Sequence, residues 1–323
     1  MIVDKKLLEI VKPENQLKLF GYDEYLNFFI KLLKKNKIPN SVLFSGEKGL
    51  GKSTFVYHLI NYFLSKNEKN NYSIENFSIN DENSSYLNMT NNIHPNFFFI
   101  GLKDLDTEIK IEQIKKLKNF IEKSTYSVDL KIIMIDSVEY LNLNSSNALL
   151  KAIEEPGENT LFFLIHNSSY KILETVKSRC IEFKLFFTHN KKKQIFNHLI
   201  SDYDLDFNGD LISDFLYFTS PGNLLKFLIF LQNNKIPLSK DILSIIFNLI
   251  DYLKIQKNSE GLYYLSLLVE KFYNEQLLLN AKNSYIYFFN YHKILNQLND
   301  MKKFNLDVKN ILLSIQHTLK NEK

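Results

Sequence analysis

Eight consecutive residues, Gly46-Glu47-Lys48-Gly49-Leu50-Gly51-Lys52-Ser53, have the types and spacing needed to hold a phosphate. Glycines allow the positive φ angles of a tight loop, so that successive backbone N–H groups face one anion. Lys52 stands where an ammonium reaches terminal phosphates, and Ser53 where a hydroxyl ligates Mg²⁺, with Thr54 completing the stretch. Three of the nine glycines in the chain fall within these eight residues, a concentration that composition alone does not explain. A loop that keeps this shape without taking a ligand is the competing reading.

A bound nucleotide needs an acid on a neighbouring strand to organise the Mg²⁺ shell, and Asp136 at the end of "KIIMID" is placed for it. Its plainer reading is a strand-end or helix-capping acid. Hydrolysis also needs a carboxylate that polarises the attacking water. The next residue is Ser137, and a serine alone is not a general base at neutral pH. Glu139 follows two residues later, and a continuing strand would point it elsewhere. The expectation is nucleotide binding with weak or absent hydrolysis.

A third feature is compositional. Lysine and arginine together number 40, and Arg179 in "TVKSRCIEF" is the single arginine among them. A planar, permanently charged fork suits phosphate oxygens in a way that lysine does not. A salt bridge or cap after a helix is the alternative, but lysine could fill that role and is the default here. The neighbouring Cys180 is the only cysteine and reads as a small buried hydrophobe.

These residues must be positioned by regular elements. "SVLFSG" (41–46), "NFFFIG" (96–101), "LKIIMID" (130–136) and "TLFFLIH" (160–166) read as apolar strands. The intervening segments have helical periodicity: Lys52 to about Lys66, "TEIKIEQIKKLKNFIEKS" (107–124) and "SSNALLKAIEE" (145–155). Near-continuous apolar strands separated by helices predict a parallel α/β sheet covered on both faces. The segment 67–92 is polar and Asn-rich without sustained period, and reads as a long, mobile insertion. After residue 187 come three short helix candidates, "NKKKQIFNHLI", "DLISDFLYF" and "NLLKFLIFLQ". From Ile236 onward long amphipathic helices predict a packed bundle. The expected division is an α/β domain over 1–186, a small helical domain over 187–235 and a helical domain over 236–323.

The length of 323 residues exceeds one ordinary core, and 45% hydrophobic residues with 27 Phe make the chain globular. A net charge of +4 excludes a polybasic protein, so any nucleic-acid contact must be local. One cysteine, no signal pattern in "MIVDKKLLEIVKPEN" and no uncharged apolar run long enough for a span predict a cytoplasmic protein without membrane contact. The run "HNKKKQ" (189–194) reads as a solvated helix start rather than a DNA contact. The late Phe and Tyr read as core rather than a base-stacking surface.

Together "GEKGLGKST", "IMIDSVEYLNLNSSNALLKAIEEPGENTLFFLI" and "ETVKSRCIEF" resemble the bacterial clamp-loader subunits of DNA polymerase III. "LKLFGYDEYLNFFIKLLKKNKIPNSVLFSG", with Gly21, looks like the opening of that family, and "IHPN" resembles its His-Pro-Asp sequence. The resemblance covers about residues 13–185. Within the family, the delta-prime branch fits better than the gamma/tau motors. Motors carry Asp-Glu where this chain has Asp136-Ser137. They also carry a lid arginine in a G-S-x-R pattern, where this chain has "TSPGNLL" (219–225). A four-cysteine zinc module found in many relatives is replaced by 67–92, so no zinc is expected.

The resemblance implies an AAA+ P-loop domain, a helical lid and a helical collar, within a hetero-pentamer that loads the sliding clamp on primed DNA. It implies gamma/tau and delta subunits as neighbours. It implies ATP with Mg²⁺ on the phosphate loop and Asp136, and Asn167 as the polar residue that senses the γ-phosphate. Arg179 becomes a finger acting in trans on the ATP of a neighbour. A self-sufficient AAA+ ATPase, such as a motor subunit, is the alternative, and Ser137 and the missing lid arginine count against it. A P-loop small-molecule kinase fits less well, because the last third is all-helical and no acceptor-binding loop is recognisable.

Overall fold

The computed structural model describes residues 8–102, 106–122, 130–157, 159–203, 205, 214–239, 241–304 and 306–322. Its chain divides into two compact units. The first is built from Ile10–Leu205 with Ser220–Asn223, and the second contains Leu224–Lys323.

Five strands form the sheet of the first unit: β1 (Ser41–Gly46), β2 (Phe97–Ile100), β3 (Lys131–Ile135), β4 (Thr160–Asn167) and β5 (Ile181–Lys184). The order is β2-β3-β4-β1-β5, and every pairing is parallel. Parallel neighbours require crossovers, and helices supply them. α1 (Asp23–Lys34) and α2 (Lys52–Leu64) cover one face, where Phe29, Phe44, Phe55 and Phe163 share a core. α4 (Ile111–Glu122) and α5 (Leu143–Glu154) cover the other, around Leu43, Ile114, Leu149 and Leu164. Side chains of a strand alternate between faces, so β1 is buried along its whole length and carries no polar alternation.

The apolar strands and helices stand close to their expected places. Residues 123 and 124 of the helical segment expected over 107–124 lie outside the described residues. Ile109 precedes that helix, in a bridge to Leu141. β5 has no expectation behind it. "IEFK" is short, carries two charges and sits at an edge of the sheet, so neither an apolar run nor a clean alternation betrays it.

The expectation of a mobile insertion over 67–92 is corrected. Tyr72, Ile79 and Met89 are buried in the α2 face of the core, and Ser84–Thr90 forms α3. Asn83 caps α3 by accepting from the Tyr86 N–H at 2.7 Å, and it receives the Asn61 amide at 2.9 Å. The buried His58 accepts from or donates to the Tyr72 hydroxyl at 3.0 Å and meets the Gln16 carbonyl at 2.9 Å. Asparagine side chains read as loop-formers here bond to one another and to the backbone, which periodicity cannot reveal.

α6 (Glu174–Lys177) is a single turn before β5, and α7 (His189–Asp202) follows β5 within the first unit. Of the expected lysine-rich, solvated helix start, Lys191 pairs with Asp23 and Lys192 with Glu47, both at 3.3 Å. Of the candidate "DLISDFLYF", residues 210–213 lie outside the described residues, and Asp214–Tyr217 forms a short 3-10 turn. α8 (Pro221–Asn233) begins with residues of the first unit and runs into the second.

The second unit packs α9 (Ile242–Ile255), α10 (Ser259–Leu279), α11 (Ser284–Phe304) and α12 (Val308–Lys320). Leu249, Leu265, Leu268, Ile294, Leu312 and Ile315 are buried completely. The aromatic residues divide: Tyr264, Phe272 and Tyr273 are core, whereas Tyr285, Phe288 and Phe289 are exposed. Among the described residues no helix is long and apolar enough to cross a membrane.

Candidate functional site

The phosphate loop joins β1 to α2, as a strand–loop–helix motif requires. Gly49 and Gly51 have φ of +79° and +83°, angles that a side chain makes costly. Each carbonyl of the loop meets a donor. Lys52 Nζ donates to the carbonyls of Gly46 and Glu47 at 2.8 and 2.7 Å. The Lys48 carbonyl accepts from Ser220 Oγ at 2.6 Å and from the Asn223 amide at 3.1 Å. The Gly49 carbonyl accepts from the Gly222 N–H at 3.0 Å, and the Leu50 carbonyl from the Tyr22 hydroxyl at 3.1 Å. Gly51 bonds forward to the Phe55 N–H at 2.9 Å. Among the described residues none accepts from the N–H of Glu47 through Gly51. The loop is thus a concave set of donors at the N-terminus of α2, which attracts anions.

The polar groups behind the loop converge. Ser53 Oγ donates to Asp136 Oδ2 at 2.6 Å, and Ser137 Oγ to Asp136 Oδ1 at 3.2 Å. Burial lowers the Lys52 ammonium to about 8, against the attraction of Asp136, Glu139 and Glu47. Burial also raises the Asp136 carboxyl above its usual range, opposed by the hydrogen bonds from Ser53 and Ser137. Asn167 is the last residue of β4 and stands in register with Gly46. Its side-chain oxygen accepts from the Ser169 N–H at 3.2 Å.

Glu139 differs from expectation. β3 ends at Ile135, and Ser137 takes a left-handed conformation with φ of 63°, opening a 3-10 turn over Val138–Tyr140. That turn carries Glu139 back toward β4, where its Oε2 accepts from the Asn167 N–H at 3.1 Å. The carboxylate therefore stays beside the phosphate-directed cluster, tied to the end of β4.

Arg179 is separate from this cluster. It follows α6, its Nε pairs with Glu154 at the end of α5, and its Nη1 donates to the Thr175 carbonyl at 3.0 Å. The side chains of Arg179 and Glu154 are 37% and 46% exposed. The guanidinium is held at the surface, and among the described residues its Nη2 has no hydrogen-bond partner. Cys180 packs partly buried against the α5 face of the core, and burial pushes its thiol up to about 11, so it behaves as a small apolar group.

The family model described as "DNA polymerase III, delta subunit" matches residues 21–188, from Gly21 through Thr188. The chain belongs to this family. Its delta-prime type is shared by curated relatives named DNA polymerase III subunit delta'. The Pseudomonas aeruginosa protein is 32% identical over 89 residues, covering 28% of this chain and 27% of that one. The Buchnera aphidicola subsp. Baizongia pistaciae protein is 30% identical over 156 residues, covering 47% and 45%. The tau/gamma subunit of Haemophilus influenzae is 27% identical over 177 residues, covering 54% and 24%. The chain thus spans less than half the length of these relatives. A gamma-subunit-related structure from Thermotoga maritima aligns with a TM-score of 0.45 at 16% identity, covering 91% of this chain and 99% of that one. The motif resemblance and the family match point to the same delta-prime type.

For a delta-prime-type chain, the segment after α2 stands out. There Ser85 Oγ donates to Glu68, and His94 Nε2 lies 3.3 Å from that hydroxyl. The Asn96 N–H donates to His94 Nδ1 at 3.1 Å, which assigns the ring proton to Nε2. Among the described residues no group of three His, Cys, Asp or Glu could hold a metal ion. Tyr22 has no sequence signal for this loop, and Ser220, Gly222 and Asn223 fall in the "TSPGNLL" stretch read only for its missing arginine. None of the four belongs to a phosphate motif, and only folding brings them to the loop.

Proposed function

We propose that the chain is a delta-prime-type stator of the DNA polymerase III clamp loader, working in the cytoplasm with gamma/tau and delta neighbours to place the sliding clamp on primed DNA. Arg179 is its finger, acting on ATP held by an adjacent subunit. Its own phosphate loop takes a nucleoside triphosphate, with Lys52 on the phosphates, and Ser53 and Asp136 as Mg²⁺ ligands. The Mg²⁺ neutralises phosphate charge when bound. The loop fits such a ligand, because its free N–H groups and the Ser53–Asp136 pair leave an anion and a cation their customary partners. Hydrolysis at this loop is weak or absent.

The observation that carries this reading is the residue after Asp136. Ser137 supplies no carboxylate there, while a complete phosphate loop and a lone surface arginine remain. Binding and finger chemistry are therefore both provided for, but in separate places. In functional terms residues 1–186 form the AAA+ domain, 187–235 the lid and 236–323 the collar. The exposed Leu278, Leu279, Tyr285, Phe288 and Phe289 support an oligomer contact on the last of these.

Steady-state ATPase of the isolated chain tests the reading. Turnover near zero, with Mg²⁺-dependent nucleotide binding, is expected. Turnover on the order of 1 s⁻¹ or faster, within the usual enzymatic range, that is abolished by Lys52→Ala contradicts the stator.

A further inference from the structure

The phosphate loop is gripped from outside by a short segment remote in sequence. Ser220 Oγ and the Asn223 amide both donate to the Lys48 carbonyl, and the Gly222 N–H donates to the Gly49 carbonyl. A trans peptide is planar, with its C=O and N–H pointing in opposite directions. Pinning the Lys48 carbonyl outward therefore turns the Gly49 N–H inward, and pinning the Gly49 carbonyl does the same for the Leu50 N–H. These are two of the donors that a phosphate would use.

The fit is backbone against backbone. A Cβ on Gly49 would lie 2.3 Å from Ser220 Oγ, and one on Gly222 would lie 2.5 Å from the Gly49 carbonyl oxygen. Ser220 is almost fully buried, and its hydroxyl also receives the Asn223 N–H at 3.4 Å. Pro221 stands at the first position of α8, where its fixed φ favours a helix start and its missing N–H costs nothing. The three gripping donors are thus preset at a helix N-terminus, whose positive end suits carbonyl oxygens. The stretch has no arginine that could reach a phosphate itself.

We propose that Ser220, Gly222 and Asn223 are a clasp that holds the phosphate loop in its anion-binding shape before ligand arrives. The clasp acts on affinity through the loop, touching no phosphate, and it rests on the reading that this loop takes a polyphosphate. A preshaped loop binds more tightly because less ordering is left for the binding step.

The test uses the full chain, titrated with Mg·ATP and separately with inorganic pyrophosphate, together with amide hydrogen exchange at residues 47–51. Ser220→Ala and Asn223→Ala should each weaken both probes about threefold to tenfold, the range for one lost hydrogen bond. The ligand-free variants should exchange the Gly49 and Leu50 amides faster than the rest of the first unit. Gly222→Ala should weaken binding further. Should it fail to fold, the Ser220→Ala/Asn223→Ala pair carries the comparison. Unchanged affinity in that double variant overturns the clasp alone. Tighter binding also overturns it, since the contact would then oppose the ligand. A wild-type chain that binds neither probe overturns the nucleotide reading and the clasp together.

Discussion

The phosphate loop and the arginine turn are both suited to phosphate, yet they are built in opposite ways. The loop is backed by buried groups. Lys52, His58 and Asn61 lie under it or along α2, and all six carbonyls from Gly46 to Gly51 have donors. Arg179 stands just after a single helical turn, and among the described residues its side chain meets one carboxylate and one carbonyl. A site that encloses its ligand needs a finished interior. A group that enters the site of another subunit needs an accessible tip and a firm base. On the proposed function, the difference teaches that each region is supported as its task requires, as well as carrying the residues for it.

The largest expected effect breaks the support of the loop region. Unfolded histidine takes a proton near 6.5, whereas burial holds His58 down to about 4 against its bond to the Gln16 carbonyl. Between those values the unfolded chain binds more protons, so stability falls as pH drops through that window. The interval corresponds to roughly 3 kcal/mol. Urea unfolding at pH 7 and pH 4 should show this loss, and His58→Gln should flatten it. An equally steep acid loss in His58→Gln assigns the effect to other groups.

Next in size is the loop itself. Lys52→Ala should weaken Mg·ATP about tenfold to a hundredfold, the scale of a charge-assisted hydrogen bond. Arg179→Ala should leave the affinity of the isolated chain within about twofold, because Arg179 bonds to no group of the loop. Equilibrium dialysis decides between them, and a matching loss in both variants would merge the two regions.

A smaller effect concerns pH. The ligand-free Lys52 ammonium loses its proton near 8. An anion that needs the charged lysine must then bring a proton with it. Affinity for Mg·ATP, whose phosphates are already ionised at neutral pH, should be level between about pH 7 and 8 and fall by up to about tenfold per pH unit above it. A flat profile to pH 9.5 removes Lys52 from the binding step. The smallest effect lies on the arginine side. Glu154→Gln should change stability by less than about 1 kcal/mol, since the pair is exposed.

Much of this was legible in the residues. The phosphate loop, Asp136 and Arg179 announce themselves through local spacing and scarcity, and the apolar strands through period. What stayed hidden depends on distant partners. Glu139 was expected to point away because nothing in "IDSVEY" signals a left-handed Ser137. β5 was missed because a short edge strand needs little apolar surface. Residues 67–92 read as mobile because asparagine is a loop-former by composition, whereas Asn83 accepts from the Asn61 amide and donates to the Asn70 carbonyl within the fold. The clasp joins residues more than 170 positions apart, beyond any local pattern.

The central claim is that this chain lends an arginine to a reaction that its own loop does not perform. Its most direct test is DNA-stimulated ATPase of the reconstituted clamp loader, with wild-type, Arg179→Lys or Lys52→Ala chains in otherwise identical complexes. The account predicts that Arg179→Lys lowers turnover at the adjacent ATP site by about a thousandfold or more, as expected for a lost finger, while Lys52→Ala leaves it nearly intact. Full activity with Arg179→Lys, or collapse with Lys52→Ala alone, would contradict it.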